Sequence, residues 1–269
     1  MDSIVSEGVL KGQSLHHIYE SDESLKAICC ERTVRRYVYA GYLSAKAHQL
    51  PRYVRFKHKY DYSEKKPVNV ERMLGRTYSD YREWVGSHPD ANLWQYDSVE
   101  GKAADKKAIL TITYPEFRFQ FGYLIPKGNA SAVLRKLAAL RKVLGAGYAD
   151  AFECNLSDNG PEFARLHEIE GWGVRAFFTS PYRSTDKAAC ERNHELIRYV
   201  IPKGRSLDGL AQSKVELLFS HINSYVRKSN ESRTPYDLMA ARFGEGFMEA
   251  IGVKRIPAKD VLLKPSLLK

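Results

Sequence analysis

The feature that most constrains the fold is an abrupt change from apolar to turn-forming residues near the middle of the chain. An apolar run over 151–156 leads to Asp158, which stands directly before Asn159-Gly-Pro161. Glycine tolerates positive φ and proline cannot donate a backbone hydrogen bond, so this tripeptide forces a turn. We predict a buried strand over 151–158 that ends at Asp158, at the kind of sheet edge where ligands of open α/β sheets collect.

Strand and helix patterns on both sides build this segment into a mixed sheet. Three predicted strands with short connections precede it, which is typical of an antiparallel meander. The resulting order, three strands, helix, strand, helix and strand, predicts an α/β (α+β) fold with helices beside a five-stranded mixed sheet. The predicted strands cover 93–99, 109–114, 117–125, 151–158 and 174–179. The predicted helices after residue 77 cover 78–85, 130–144 with Asn129 as N-cap, 162–170, 186–200, and 207–227 with Ser206 as N-cap.

The first organised segment is helical and basic. Ser14 is the expected N-cap of a short helix over 15–19, and a second helix over 31–40 ends at Gly41. Its outward face carries Arg32, Arg35, Arg36 and Tyr39, whereas Val34 and Val38 face inward. Two such helices predict a helix-turn-helix whose second helix enters the major groove. An ordinary amphipathic helix with a solvated basic face is the alternative.

Composition favours a polyanionic partner. The 269 residues carry a net charge of +10, which points most simply to nucleic acid, although a basic, well-solvated surface explains the charge equally well. Residues 46–88 spread basic and aromatic side chains along a linker that either follows a phosphate backbone or is a solvated spacer. The four cysteines form no C-x-x-C pair, which argues against a zinc finger and suits a reducing cytoplasm. We expect no membrane span and no secretory signal.

Three acidic residues stand where a shared metal site would need them. Asp97 ends the first predicted strand, Asp158 ends the fourth, and Glu191 lies on the helix after the fifth, on a polar face with His194, Glu195 and Arg198. Taken singly, each acid is more typical of a turn, a cap or a solvated helix face. Three close carboxylates repel one another unless a cation is shared between them, and Mg²⁺ suits oxygen ligands. Two such ions activate a water or a 3′-hydroxyl in phosphodiester displacement.

These residues resemble the DDE transposase and retroviral-integrase superfamily, which has a ribonuclease-H-like fold, and more narrowly the insertion-sequence transposases of the IS-thirty family. The 33-residue spacing from Asp158 to Glu191 is close to that family's spacing. The matching pieces are Lys11-Gly-Gln-Ser14, Arg32-Thr33 with Tyr37-Val38, Trp94-Gln-Tyr-Asp97 with Gly101, Leu110-Thr111, Leu156-Ser-Asp-Asn-Gly-Pro-Glu-Phe163, Phe178 with Pro181-Tyr182, Glu191 with Arg198, Pro202-Lys-Gly204 and Thr234-Pro235.

The resemblance implies a metal-binding triad of Asp97, Asp158 and Glu191 that holds Mg²⁺ or Mn²⁺, with two ions per site. The implied reaction is strand cleavage at insertion-sequence ends and joining of the 3′-hydroxyl to target DNA. It also implies a homo-oligomer assembled on double-stranded DNA, both terminal repeats and target, without membrane contact, in the nucleoid of a bacterial cytoplasm. The implied DNA contacts are Arg32, Thr33, Arg35, Arg36, Arg198 and Lys203.

The same resemblance divides the chain into four parts: a helix-turn-helix segment (1–45), a basic linker (46–88), a ribonuclease-H-like integrase catalytic core (89–204) and a C-terminal helical extension (205–269). The family usually has serine at the recognition-helix cap, where Cys30 stands, and asparagines beside the glutamate, where Cys190 and Arg192 stand. We therefore expect a divergent or shortened member. The alternatives are a non-catalytic DNA-binding regulator or inactive transposase remnant, and a generic metal-dependent nuclease of the same fold.

Overall fold

A mixed five-stranded sheet lies at the centre of the chain. Its strands are β1 Leu93–Glu100, β2 Lys107–Tyr114, β3 Phe119–Pro126, β4 Cys154–Ser157 and β5 Arg175–Phe178. Their spatial order is β3-β2-β1-β4-β5, with antiparallel pairing of β1, β2 and β3 and parallel pairing of β1 with β4 and of β4 with β5. This confirms the predicted fold class, and it makes the first and fourth strands neighbours.

The computed structural model describes residues 1–51, 70–180 and 188–269, and for 70–71 and 188–193 it describes the backbone only. Predictions for the linker residues 52–69 and for the break at 181–187 lie outside the described residues. The described α-helices are α1 Asp2–Leu10, α2 Leu15–Glu20, α3 Glu23–Ile28, α4 Glu31–Ala40, α5 Val70–Met73, α6 Tyr78–Ser87, α7 Ala130–Leu144, α8 Gly147–Ala151, α9 Ala188–Val200, α10 Gln212–Asn223, α11 Pro235–Phe243 and α12 Glu245–Ala250.

The sheet is buried because helices cover it. Seven of the eight residues of β2 are buried, as expected for a strand with a layer on each face. On one side the amide of Asn223 in α10 pairs with the backbone of Gln120 in β3, at 3.0 and 2.6 Å. Trp94 of β1 stacks on Phe152 at a ring-centroid distance of 4.6 Å and meets Phe121 edge-on. These contacts hold α10 against β3 and pack aromatic rings against the sheet.

Local sequence signals are sufficient for some helices. The predicted bounds of α7 are confirmed, with the Asn129 side chain accepting a hydrogen bond from the Ala132 amide. Val133, Leu137 and Leu140 form its buried stripe. In the N-terminal segment, Ser14 caps α2 through the His17 amide and Gly41 ends α4 in the left-handed conformation. Each of these ends carries its own capping residue.

Three predicted elements are wrong in extent. The fourth strand begins at Cys154 rather than at residue 151, because Ala151 ends α8 and its carbonyl accepts a hydrogen bond from Trp94 Nε1 at 2.7 Å. The predicted helix over 162–170 is two 3₁₀ segments, Pro161–Phe163 and Leu166–Trp172. Its end is held to β5 because the Glu170 carboxylate accepts hydrogen bonds from Arg76 and from the Ala176 amide.

The predicted helix over 207–227 is shortened by a long-range contact. α10 spans only Gln212–Asn223, and Ser206 does not cap it. Instead, Asp105 in the connection between β1 and β2 accepts hydrogen bonds from the Ser206 hydroxyl at 2.7 Å and the Leu207 amide at 2.9 Å. The Ser206 hydroxyl is therefore committed to another part of the chain.

Four helices, rather than two, precede the sheet within residues 1–45. α1 and α3 were not predicted, and α3 has only six residues, capped by Asp22. The four helices share a small apolar core, separate from the core of the sheet, formed by Val5, Val9, Leu15, Ile18, Leu25, Val34, Val38, Leu43 and Ala45. Single helices this short are marginal in water, so this packing accounts for their stability.

The C-terminal segment contacts these N-terminal helices. His17 of α2 stacks on Tyr225 at 4.7 Å, and its Nδ1 accepts a hydrogen bond from the Val226 amide at 2.9 Å. Gln13 donates to the carbonyl of Val261 at 2.8 Å, and the Leu263 amide donates to the Lys11 carbonyl at 3.0 Å. The last part of the chain, which local patterns left unassigned, thus packs against the first.

Candidate active site

Asp97 and Asp158 occupy equivalent positions on neighbouring parallel strands. The ladder between β1 and β4 pairs Gln95 with Leu156 and Tyr96 with Ser157. Asp97 directly follows Tyr96, and Asp158 directly follows Ser157. Parallel strands lie about 4.8 Å apart, and residues in register point to the same face of the sheet. The structure therefore brings these two predicted site residues together. Asp97 lies within β1 rather than at its end, because β1 continues to Glu100 along β2.

The Asp97 side chain is half-buried and anchored on its own strand. Its Oδ1 accepts a hydrogen bond from the Ser98 amide at 2.8 Å, and Oδ2 lies 3.8 Å from Nδ1 of His194 in α9. The Thr111 hydroxyl of β2 donates to the Asp97 carbonyl at 3.2 Å and lies 3.1 Å from His194 Nε2. Because that hydroxyl has a single proton, both contacts are satisfied when Nε2 carries the imidazole hydrogen.

Asp158 is held by the turn that follows it. Its Oδ1 accepts a hydrogen bond from the Gly160 amide at 3.0 Å, while Asn159 donates to the Thr179 carbonyl at 2.8 Å and accepts from Arg72 at 3.2 Å. The Arg72 guanidinium also lies 5.1 Å from the centre of the Phe178 ring. Burial lowers the pKa of Arg72, and the Asp158 carboxylate opposes that shift by attracting the charged form. The contact of Arg72 with Asn159 places its guanidinium at the turn that follows Asp158.

A further carboxylate, Glu162, lies next to Asp158, and the site predictions missed it. The buried Glu162 side chain accepts a short hydrogen bond from the hydroxyl of Ser98, the residue after Asp97. A methyl group on Gly160 would stand 2.9 Å from Glu162 Oε2 and 3.0 Å from Asp158 Oδ1. A side chain at 160 would therefore displace these two carboxylates, although the φ of −56° at this position suits any residue. Glu162 belongs to the same sequence motif as Asp158, which was the available signal.

Helix α9 brings its polar face to this edge of the sheet. The backbone places position 191 one turn before His194, on the helix that contacts Asp97 and Thr111, but the Glu191 side chain lies outside the described residues. Arg198, two turns after position 191, donates from Nη2 to the Glu100 carbonyl of β1 at 3.0 Å, and burial lowers its pKa. Arg198 therefore ties α9 to β1. Lys203 is exposed in the turn after α9.

The other predicted DNA contacts lie on α4. Arg32, Arg35 and Arg36 are exposed, as predicted, while Val34 and Val38 are fully buried. Arg35 pairs with Glu31 at 3.1 Å, and Arg36 lies over the ring of Tyr37. Thr33 is half-buried, with its hydroxyl 3.4 Å from the Cys30 sulfur. The Cys30 side chain makes no capping hydrogen bond to α4, as its poor capping chemistry predicts.

Among the residues whose side chains are described, no group of three or more His, Cys, Asp or Glu is arranged to hold a metal ion. The described members of the predicted triad are the two aspartates. In the described part of the chain, no helix combines the length and apolarity that a membrane span requires.

Three relatives with known names resemble the chain in sequence. It is 28% identical over 213 residues to the probable transposase for insertion-like sequence element IS1161 of Streptococcus salivarius, a match that covers 79% of this chain and 59% of that protein. It is 25% identical over 148 residues, 55% of this chain and 42% of the relative, to the transposase for insertion sequence element IS1086 of Cupriavidus metallidurans. It is 32% identical over 146 residues, 52% of this chain and 42% of the relative, to the transposase for IS4351 of Bacteroides fragilis.

No protein-family model matches the chain. Among solved structures, it is similar to the catalytic core domain of BIV integrase, with a TM-score of 0.41 and 21% sequence identity over 56% of this chain and 95% of that one. The chain spans about half the length of the relatives that it matches. It is thus a homologue, at modest identity, of proteins named insertion-sequence transposases.

Proposed function

We propose that the chain is a DNA transposase that cuts strands at the ends of an insertion sequence and joins them to target DNA, with Asp97, Asp158 and Glu191 as its catalytic triad. The observation that carries this proposal is that Asp97 and Asp158 directly follow Tyr96 and Ser157, which pair on the adjacent parallel strands β1 and β4. The similarity to a protein named a probable transposase over 79% of the chain supports the reaction class.

The donor chemistry of the site fits a hard divalent cation. Two half-buried carboxylates on one sheet edge supply the oxygen ligands that Mg²⁺ prefers, and Glu191 would complete the set. We propose Mg²⁺ or Mn²⁺, two ions per site. Such ions activate a water or 3′-hydroxyl and stabilise the leaving oxygen. The chain itself orients the carboxylates through the Ser98 and Gly160 amides, and Arg72 provides positive charge beside Asp158.

The partner in this proposal is double-stranded DNA, both terminal repeats and target. The net charge of +10 favours association with DNA, and the exposed arginines of α4 form a basic face on a helix-turn-helix-like segment. Arg198 lies within α9, the helix that contacts Asp97, and Lys203 follows that helix. We propose both as phosphate contacts near the site. Cutting and joining two ends needs two active sites, so we propose a homo-oligomer assembled on DNA.

The test is cleavage of DNA that carries the genomic flanks of the reading frame, with Mg²⁺ or Mn²⁺ present. Asp97→Asn and Asp158→Asn should lower strand cleavage by a factor of about 1000 or more, because each removes a charged ligand of the cation, while DNA binding is kept. Asp150→Asn is the matched control, since Asp150 is exposed and away from this edge.

The same assay separates the alternatives. Unchanged cleavage in Asp158→Asn would refute the catalytic assignment. Salt-dependent DNA binding without any metal-dependent cutting would identify a non-catalytic DNA-binding protein instead. Cleavage without joining of the 3′ end to a second duplex would indicate a nuclease.

A further inference from the structure

A cationic cavity lies where the N-terminal helices meet the sheet and α9. Its volume is about 250 Å³, and its lining includes Ser14, His16, Arg118, Tyr199, Arg227 and Lys228. Among the described residues that line it, there are two arginines and a lysine but no aspartate or glutamate. We call it the junction cavity. It takes residues from the N-terminal segment, the turn between β2 and β3, α9 and the stretch after α10.

Specific hydrogen bonds bring these cations together. The Asn230 side chain donates to the Phe117 carbonyl at 2.8 Å, which holds the Lys228–Asn230 3₁₀ turn against the residue before Arg118. The Ser232 amide donates to the Arg227 carbonyl at 3.1 Å, which folds the chain back beside the cavity. His16 then contacts the Ser232 hydroxyl at 3.3 Å and Glu31 at 3.0 Å. Hydrogen bonds to backbone carbonyls thus place Lys228 and Arg118 at the same cavity.

The backbone around the cavity is in an uncommon conformation. The described non-glycine residues with positive φ are Arg118 at 53°, Glu231 at 54° and Ser232 at 62°. All three belong to the two turns that border the junction cavity. Positive φ is unfavourable for residues with a Cβ, and such residues cluster at ligand sites. A positive φ at each of these three residues costs free energy.

We propose that the junction cavity binds a phosphodiester group of the DNA backbone. Guanidinium and ammonium groups with nearby hydroxyls are the groups that contact phosphates, and the cavity supplies them through Arg118, Arg227, Lys228 and Ser14. Tyr199 and Leu196 of its lining belong to α9, the helix of position 191. The junction cavity therefore lies against the helix that carries position 191, on a different face of α9 from His194. This inference rests on the proposed function, because it assigns a contact to the same DNA.

The test compares Lys228→Ala and Arg118→Gly with Lys142→Ala, an exposed lysine on α7. DNA affinity is measured over a salt series by fluorescence anisotropy, with duplex DNA from the flanks of the reading frame. Loss of one phosphate contact should lower the magnitude of the salt slope by about 0.9 and weaken binding about tenfold at low salt. The double variant should lose about twice the slope, and Lys142→Ala should match wild type.

Arg118→Gly carries a second readout. Glycine adopts a φ of 53° without strain, so its unfolding temperature should not fall while its DNA affinity does. If Arg118→Gly does not fold, the exposed Lys228→Ala decides the outcome. Inorganic phosphate separates the two possible sources of the anion. By calorimetry, we expect no binding of inorganic phosphate that depends on Lys228. If wild type binds phosphate, Lys228→Ala does not, and the salt slope of DNA binding is the same in both, the proposal is overturned.

Failure of this inference is distinguishable from failure of the proposed function. Wild-type salt slopes in Lys228→Ala and Arg118→Gly, with DNA bound and cut normally, would refute the phosphate site alone. Absence of DNA binding in the wild-type chain would refute both.

Discussion

At the scale of single residues, the site depends on how closely carboxylates pack around Gly160. The hydrogen bond from Ser98 to Glu162 links the strand of Asp97 to the turn of Asp158, and the space at Gly160 lets the Glu162 and Asp158 carboxylates approach each other. We regard Glu162 as a positioning residue, because its contacts hold the turn rather than the reacting atoms. Two substitutions test this arrangement.

Gly160→Ala should displace the carboxylates. Its methyl group would stand 2.9 Å from Glu162 Oε2, closer than real contacts allow. Because ångström-scale misplacement of catalytic groups costs up to about 100-fold in rate, we expect strand cleavage to fall about tenfold or more. Gly86→Ala makes the same chemical change in open space on α6 and should leave cleavage unchanged. Equal activity of the two variants would show that the Asp158 turn tolerates the shift.

Ser98→Ala should remove a donor from the buried Glu162 carboxylate. Loss of a partner to a buried charged group costs about 1–3 kcal/mol, so the free energy of unfolding in urea should fall by that amount. If Glu162 also positions the Asp158 turn, Mn²⁺ affinity measured by titration should fall as well, and Ser98→Thr should restore it. A stability loss without any change in Mn²⁺ affinity would leave Glu162 with a purely structural role.

At the scale of elements, side-chain caps mark where several helices begin. Ser14, Asn129 and Thr234 each accept a hydrogen bond from a backbone amide of the helix they begin. Thr234-Pro235, which resembles a family motif, begins α11, with Thr234 as the N-cap and proline in the first turn. α4 lacks such a cap, since Cys30 occupies its N-cap without a side-chain hydrogen bond.

Cys30→Ser should therefore stabilise the chain. The backbone at Cys30 already has the extended conformation of an N-cap, φ −81° and ψ 159°, so a serine hydroxyl would reach the first-turn amides at little cost. We expect the free energy of unfolding to rise by about 0.5–1 kcal/mol. Ser14→Ala, which removes the working cap of α2, should lower it by about 1 kcal/mol. Thermal unfolding of both variants measures the difference, and a Cys30→Ser that melts below wild type contradicts the prediction.

At the scale of the whole molecule, His17 links the N-terminal helices to the C-terminal segment. Its Nδ1 accepts from the Val226 amide, so Nε2 carries the hydrogen and donates to the Ala258 carbonyl at 3.0 Å. Burial lowers the pKa of His17 from 6.5 to about 4, against an opposing hydrogen bond to Ala258. The imidazole is therefore neutral in the folded chain at neutral pH.

The junction should weaken in acid. The unfolded chain binds the His17 proton near pH 6.5 and the folded chain only near pH 4, so the contribution of His17 to stability falls as pH decreases through that window. The loss amounts to about 3 kcal/mol below both values. Urea unfolding of wild type and His17→Gln between these pH values measures it. The free energy of unfolding of wild type should fall more steeply with decreasing pH than that of His17→Gln, because the other acidic and histidine groups are present in both proteins. Parallel pH dependences would contradict the prediction.

The sequence by itself determined the elements whose signals are local. The strand-ending Asp158-Asn-Gly-Pro turn, the capped stripe of α7 and the Gly41 end of α4 are encoded in neighbouring residues. The predicted fold class was confirmed, and the register of β1 and β4, which places Asp97 and Asp158 directly after paired residues, came from the structure. The role of Glu191 was predicted from spacing and from the family resemblance, and the place of its side chain in the triad stays a prediction.

Only the tertiary structure decided the rest, because hydrogen bonds between distant residues compete with local propensity. The Ser206 hydroxyl donates to Asp105 instead of capping α10. Trp94 Nε1 donates to the carbonyl of Ala151, the last residue of α8, ahead of β4. The contact between Ser98 and Glu162 joins residues 64 positions apart, and that between His17 and Val226 joins residues 209 apart. Burial at these points is a property of the assembled fold, so no window of sequence contains it.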